Sequence, residues 1–145
     1  MNELIESMKV LLATMFAFRI KAQFYHWNIE GPDFIQYHKF LGDLYEQVDG
    51  NIDDVAEHIR ALGSYSPGSF QRFKELSKIK DEDSIPNALE MLNRLLSDIE
   101  TLHFALNDSH SKAETIQENG TINFLEGLLD QCEKTRWMIR SILKR

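Results

Sequence analysis

Apolar residues recur every three or four positions through most of the chain. Leu4, Met8, Leu11, Met15, Phe18, Ala22 and Tyr25 form a first stripe, widened by Ile5, Leu12 and Phe16. That spacing predicts a helix over 3–27. Asn28 and Gly31-Pro32 interrupt it. Asp33 is placed to cap a second helix reaching Leu62, along which Tyr37, Leu41, Tyr45, Val48, Ile52, Val55, Ile59 and Leu62 line one face, and Gly63 stops it.

The segment 64–83 opens with Ser66-Pro67-Gly68 and closes with KIKDED, holding Phe70, Phe73 and Leu76 between them. It reads as a connection carrying one short amphipathic helix. Ser84 followed by Ile85-Pro86 predicts the start of a third long helix. Leu89, Leu92, Leu96, Ile99, Leu102, His103 and Leu106 should turn inward, and Asn119-Gly120 should end it. Thr121 is the expected cap of a fourth, with Ile122, Leu125, Leu128, Leu129, Cys132, Ile139 and Ile142 on its apolar side. The pattern predicts an all-α four-helix bundle. Its second link is long enough to run from one end to the other, giving a single crossover rather than simple up-and-down order.

With 145 residues the chain is expected to form one domain, 1–145. Its 23 acidic and 16 basic residues leave a formal charge of -7, which argues against phosphate binding over most of the surface. Neither end of this sequence carries a lysine-rich arm. Cys132 is the single cysteine, so no intrachain disulfide is expected and a cytoplasmic location is favoured. The early apolar run carries Glu3, Glu6 and Lys9, and is read as helix one rather than a leader. No segment has the ~20 apolar residues that a membrane span requires.

The candidate chemistry lies around the first turn. His26 and His38 are 12 positions apart, and the break between them lets both imidazoles come to one end of a helix pair. Asp53 and Glu57 share a helix face at a spacing of four. They lie about 22 Å along the axis from His38, at ~1.5 Å per residue. Two copies of helix two laid antiparallel across a two-fold axis would bring the histidines of one chain to the acids of the other, twice over. Iron, manganese or zinc accepts such nitrogen and oxygen donors. The plain alternatives are histidines that cap or pack and acids on a solvated face.

The run YHWNIEGPDFIQYHKFLGDLYEQVDGNIDDVAEHIRALG resembles the signature of the Dps family, the ferritin-like mini-ferritins. The helix order, including the short helix, is similar across the whole chain. This resemblance implies a ferritin-like bundle assembled as a hollow homo-oligomer, a dodecamer. It also implies oxidation of ferrous iron, preferably by hydrogen peroxide, at mono-iron or di-iron sites between subunits, with ferric mineral stored inside. His26 and His38 would come from one subunit and Asp53 and Glu57 from its neighbour, with Trp27 beside the iron as an oxidisable or packing group. Protection of DNA, with association with the nucleoid, is a further implied property. The acidic balance and the missing basic arm make direct DNA contact the weaker expectation.

One position departs from the family pattern His-x-x-x-Asp. This chain has HKFLGD, with Gly42 one turn after His38 and Asp43 a place later, turned by ~100°. Asp43 or Glu46 is the candidate substitute ligand, and Gly42 signals a close contact, a tolerated loss or room for solvent. Asp49, Asp54 and His58 are candidates for tuning charge near the ligand face, Glu126 and Asp130 for an entry channel, and His103 for a packed core group. The rival readings are a structural or DNA-associated shell with weakened iron oxidation, and a manganese or zinc protein.

Overall fold

The computed structural model describes residues 1–144, which form five helices: α1 (Asn2–Asn28), α2 (Phe34–Ala61), α3 (Phe70–Leu76), α4 (Ala88–Thr115) and α5 (Asn119–Leu143). α1 packs against α2, α4 and the short α3, while α4 packs against α5. The four long helices make the bundle, and α3 lies in the connection between α2 and α4, as the pattern predicts. Leu4, Met8, Leu11, Met15, Phe18, Ala22 and Tyr25 are all buried, so the first stripe is the centre of the core. Withdrawing each large aliphatic side chain from water contributes about 1.5–3 kcal/mol, before the entropy of ordering it.

Polar contacts fix the directions of α4, α5 and the crossover. Lys21 pairs with Asp98 and Ser7 with Ser109, so α4 runs antiparallel to α1. His103 meets Glu133 and His110 meets Glu126, so α5 returns antiparallel to α4. The crossover is pinned along α1 in sequence order. The Lys78 amide donates to Thr14 Oγ1, Lys21 reaches the Lys80 carbonyl, and Tyr25 donates to Glu82. It thereby carries the chain from the α2 C-terminus to the opposite end, where α4 begins.

Three helix boundaries differ from the sequence reading. α4 starts at Ala88 rather than after Ser84, because the Asn87 side chain accepts the Glu90 amide at 2.9 Å. The Ser84 hydroxyl is instead committed to Glu82, and Pro86 disfavours helical backbone at Ile85. α4 also stops before Asn119-Gly120. Gln117 adopts φ 56°, its amide reaches the Glu114 carbonyl and the Glu118 amide reaches Ala113, the paired bonds of a left-handed helix stop. Gly63, at φ 96°, ends α2 with the same pattern of bonds to Arg60 and Ile59. Thr121 is not a cap. α5 begins at Asn119, and the fully buried Thr121 hydroxyl bonds His58 Nε2 at 2.8 Å. Asp33 does sit at the N-cap of α2, but its side chain makes no capping bond. Leu89, expected inward, is exposed.

Candidate metal centre

The turn between α1 and α2 brings the two histidines together. Gly31, at φ 125°, supplies a backbone conformation that other residues rarely adopt, and the Phe34 amide closes the turn on the Gly31 carbonyl. The returning helix lays the His38 ring on the His26 ring, with centroids 3.8 Å apart and planes 13° from parallel. His26 Nδ1 lies 2.6 Å from the His38 carbonyl, and His38 Nδ1 lies 2.7 Å from the His26 carbonyl. A carbonyl only accepts, so each Nδ1 carries a hydrogen. In the neutral ring that leaves Nε2 with its lone pair, the form in which imidazole binds a metal.

The lock also completes a helix end. The His26 carbonyl belongs to the last turn of α1, where the carbonyls lack intrahelical donors, and His38 supplies one. Phe34 stacks on His38 at 5.0 Å and Tyr45 lies against His26 at 5.3 Å, so the imidazoles form the middle of a four-ring column. The two outer rings are not among the sequence candidates for this site. The signal for Phe34 is its four-residue offset from His38, while Tyr45 is counted in the apolar stripe.

Gly42 is buried against this column. A Cβ there would stand 2.9 Å from His26 Cε1 and 3.1 Å from Nδ1, so of the three readings of this glycine the close contact is the correct one. Asp43 does not join the histidines. Its carboxylate pairs with exposed Lys39 at 3.0 Å, and it borders a groove with Thr135 and Met138. Glu46 is exposed as well.

Asp53 and Glu57 are exposed on α2, well along the helix from His38. The structure does not bring them to the histidines of the same chain. Among the described residues, no three His, Cys, Asp or Glu side chains gather into a group that holds a metal. Trp27 is 65% exposed, so it is not a core residue of the single chain.

The remaining candidates have other partners. Asp49 pairs with Arg19, and Asp54 is exposed. His58 faces α5, stacked on Phe124 at 4.7 Å, and burial lowers its pKa below the ordinary value. His103 is not a sealed core group, because it bonds exposed Glu133 and Asn107. Glu126 bonds His110, whose other ring nitrogen meets Glu114. Asp130 is exposed.

Behind the column lies a polar clamp. The Tyr25 hydroxyl donates to Glu82 at 3.4 Å, and Arg94 closes on the same carboxylate. Hydrogen bonds from Ser84, followed by Arg94, hold the Glu82 carboxyl down to about 2, whereas burial first and Glu82 second push the Tyr25 phenol up to about 12. The clamp therefore ties α1, the crossover and α4 together one residue from His26.

Residues 5–145 match the ferritin-like domain. The chain is similar to a low-temperature-induced protein of Nostoc sp., at 35% identity over 135 residues that span 92% of this chain and 75% of that protein. It is similar to DNA protection during starvation protein 2 of Bacillus anthracis at 26% identity over 144 residues, 99% of each. The crystal structure of a Dps protein from Vibrio cholerae, described as a member of the ferritin-like diiron-carboxylate superfamily, matches with a TM-score of 0.94 at 27% identity, covering 99% of this chain and 90% of that one. Sequence and fold agree over nearly the whole length, and the chain belongs to the ferritin-like family, in its Dps group.

Proposed function

We propose that the protein is an iron-sequestering ferroxidase that works as a hollow homo-oligomer, a dodecamer, in the cytoplasm. The observation that carries this reading is the His26–His38 lock, which holds two imidazoles at the start of α2 while Asp53 and Glu57 lie far down the same helix. Antiparallel contact between two α2 helices makes each site from His26 and His38 of one chain and Asp53 and Glu57 of another. Ferrous iron is the substrate. The imidazoles bind it through Nε2, and the carboxylates favour the more highly charged ferric product.

Hydrogen peroxide is the preferred oxidant. Two ferrous ions each give one electron, the O–O bond breaks, and two protons complete two water molecules. Trp27 is next to His26 in sequence and exposed, and its proposed role is to give up an electron when only one iron is present. The ferric ions then hydrolyse and are stored as mineral, which shields DNA without contact. Glu126 and Asp130 are proposed to line the route inward.

The test is ferrous iron plus peroxide, followed by ferric absorbance. His38→Ala or Glu57→Ala in an intact assembly should lower the rate strongly. A rate independent of both residues rejects the reading.

A second reading is a structural or DNA-associated shell with weak iron oxidation, favoured by Gly42 standing where the family pattern has an aspartate. It predicts a full shell whose rate matches the iron-buffer control, with any DNA binding sensitive to salt. Zinc or manganese as the occupant predicts that ion bound in an equilibrium titration, with no ferric absorbance above the iron-buffer control.

A further inference from the structure

The position that departs from the family pattern is also the one in closest contact with a proposed ligand. Gly42 is buried, and the space that its Cβ would occupy is filled by the His26 imidazole, at 2.9 Å from Cε1, 3.1 Å from Nδ1 and 3.7 Å from Nε2. The ring cannot slide away freely. One face carries His38 and Tyr45 lies on another side, while Nδ1 is held at 2.6 Å by the His38 carbonyl. That carbonyl sits one helical turn before Gly42, so the ring is anchored to the stretch of backbone that the glycine leaves bare.

We propose that Gly42 is a positioning residue for the metal centre: lacking a Cβ, it seats the His26 ring against α2 with Nδ1–H locked and Nε2 free, a seat that a carboxylate at this position would destroy. The inference rests on the ferroxidase reading for the role of Nε2, but the seat itself does not. Gly42 is then no simple loss of a ligand. The glycine gives up a carboxylate and fixes an imidazole that the family pattern also has, so the site carries one negative charge fewer than that pattern gives. Putting aspartate back at residue 42 should not rebuild the family site, because the new side chain and the ring compete for one volume.

The probe is Co2+, whose visible absorption reports its coordination, titrated into the assembled protein and into Gly42→Ala and Gly42→Asp. Groups that orient a metal-binding histidine typically contribute 10–100-fold to metal affinity. Both variants should therefore bind Co2+ at least about tenfold more weakly, with an altered band shape. Tighter binding by Gly42→Asp, or an unchanged spectrum in Gly42→Ala, overturns the proposal.

A double-mutant cycle of melting midpoints at fixed protein concentration tests the seat independently of any metal. Gly42→Ala should lower the midpoint when His26 is present. It should raise the midpoint in a His26→Ala background, where the space is vacant and alanine is the better helix former. The same sign in both backgrounds overturns the seat. Absence of Co2+ binding by the native protein overturns the ligand role and with it the ferroxidase reading, leaving the cycle to decide whether the glycine seats the ring.

Discussion

Tyr25 donates its phenolic hydrogen to Glu82 at 3.4 Å, joining the helix that carries His26 to the crossover that leads into α4. Glu82 is held down to about 2 from an ordinary 4.5 by Ser84 and Arg94. A carboxyl depressed on folding stabilises the fold above its unfolded value, and that contribution is lost as pH falls from about 4.5 through about 2. Glu82→Gln should flatten the acid limb of the melting midpoint over this window. An acid limb identical to the native one would show that the clamp contributes nothing there.

Lys21 and Asp98 form an ion pair at 2.8 Å with both side chains almost wholly buried. Burial, opposed by Lys21, raises the Asp98 pKa. Lys21→Met leaves that carboxylate without its cation and should cost about 3–5 kcal/mol near neutral pH. The cost should shrink in acid, since a group raised on folding favours the fold below its unfolded pKa and loses that effect as pH rises. The double variant Lys21→Met, Asp98→Leu should recover most of the loss. Denaturant unfolding of all three proteins checks both points.

Gln117 ends α4 in a left-handed conformation at φ 56°. A side chain there costs of order 1–3 kcal/mol of backbone strain. Gln117→Gly should stabilise the protein by about 1 kcal/mol after the glycine's own entropy is counted, read as a higher denaturant midpoint with an unchanged slope.

His58 bonds Thr121 and stacks on Phe124, and burial keeps its pKa below 6.5. A histidine depressed on folding stabilises the fold above 6.5, and that contribution is lost as pH falls through the lower folded value. His58→Gln keeps a partner for Thr121 without titrating. Its melting midpoint should fall less than that of the native protein as pH drops below 6.5.

The four long helices were legible because apolar residues repeat at the helical period; the α1 stripe from Leu4 to Tyr25 buries completely, while Leu89 of α4 stays exposed. The ends were less so. Ser84 and Asn87 both have capping side chains, and the local bonds to Glu82 and Glu90, with Pro86 between them, separate the two. Gly120 advertises a stop, yet Gln117 takes the left-handed turn three residues earlier. The histidine pair could be read from the turn that separates its members. The meaning of Gly42 could not, because it depends on where the His26 ring comes to rest across the hairpin.

At the end of the bundle where His26 stands, α1 and α5 terminate while α2 and α4 begin. Each helix terminus presents roughly half a unit of charge, negative where a helix ends and positive where one starts. Two of each sign nearly cancel. Beyond the width of the bundle the backbone therefore gives an approaching cation little net field, and its attraction to this end is governed by side chains, so a charge-changing substitution there should alter it directly.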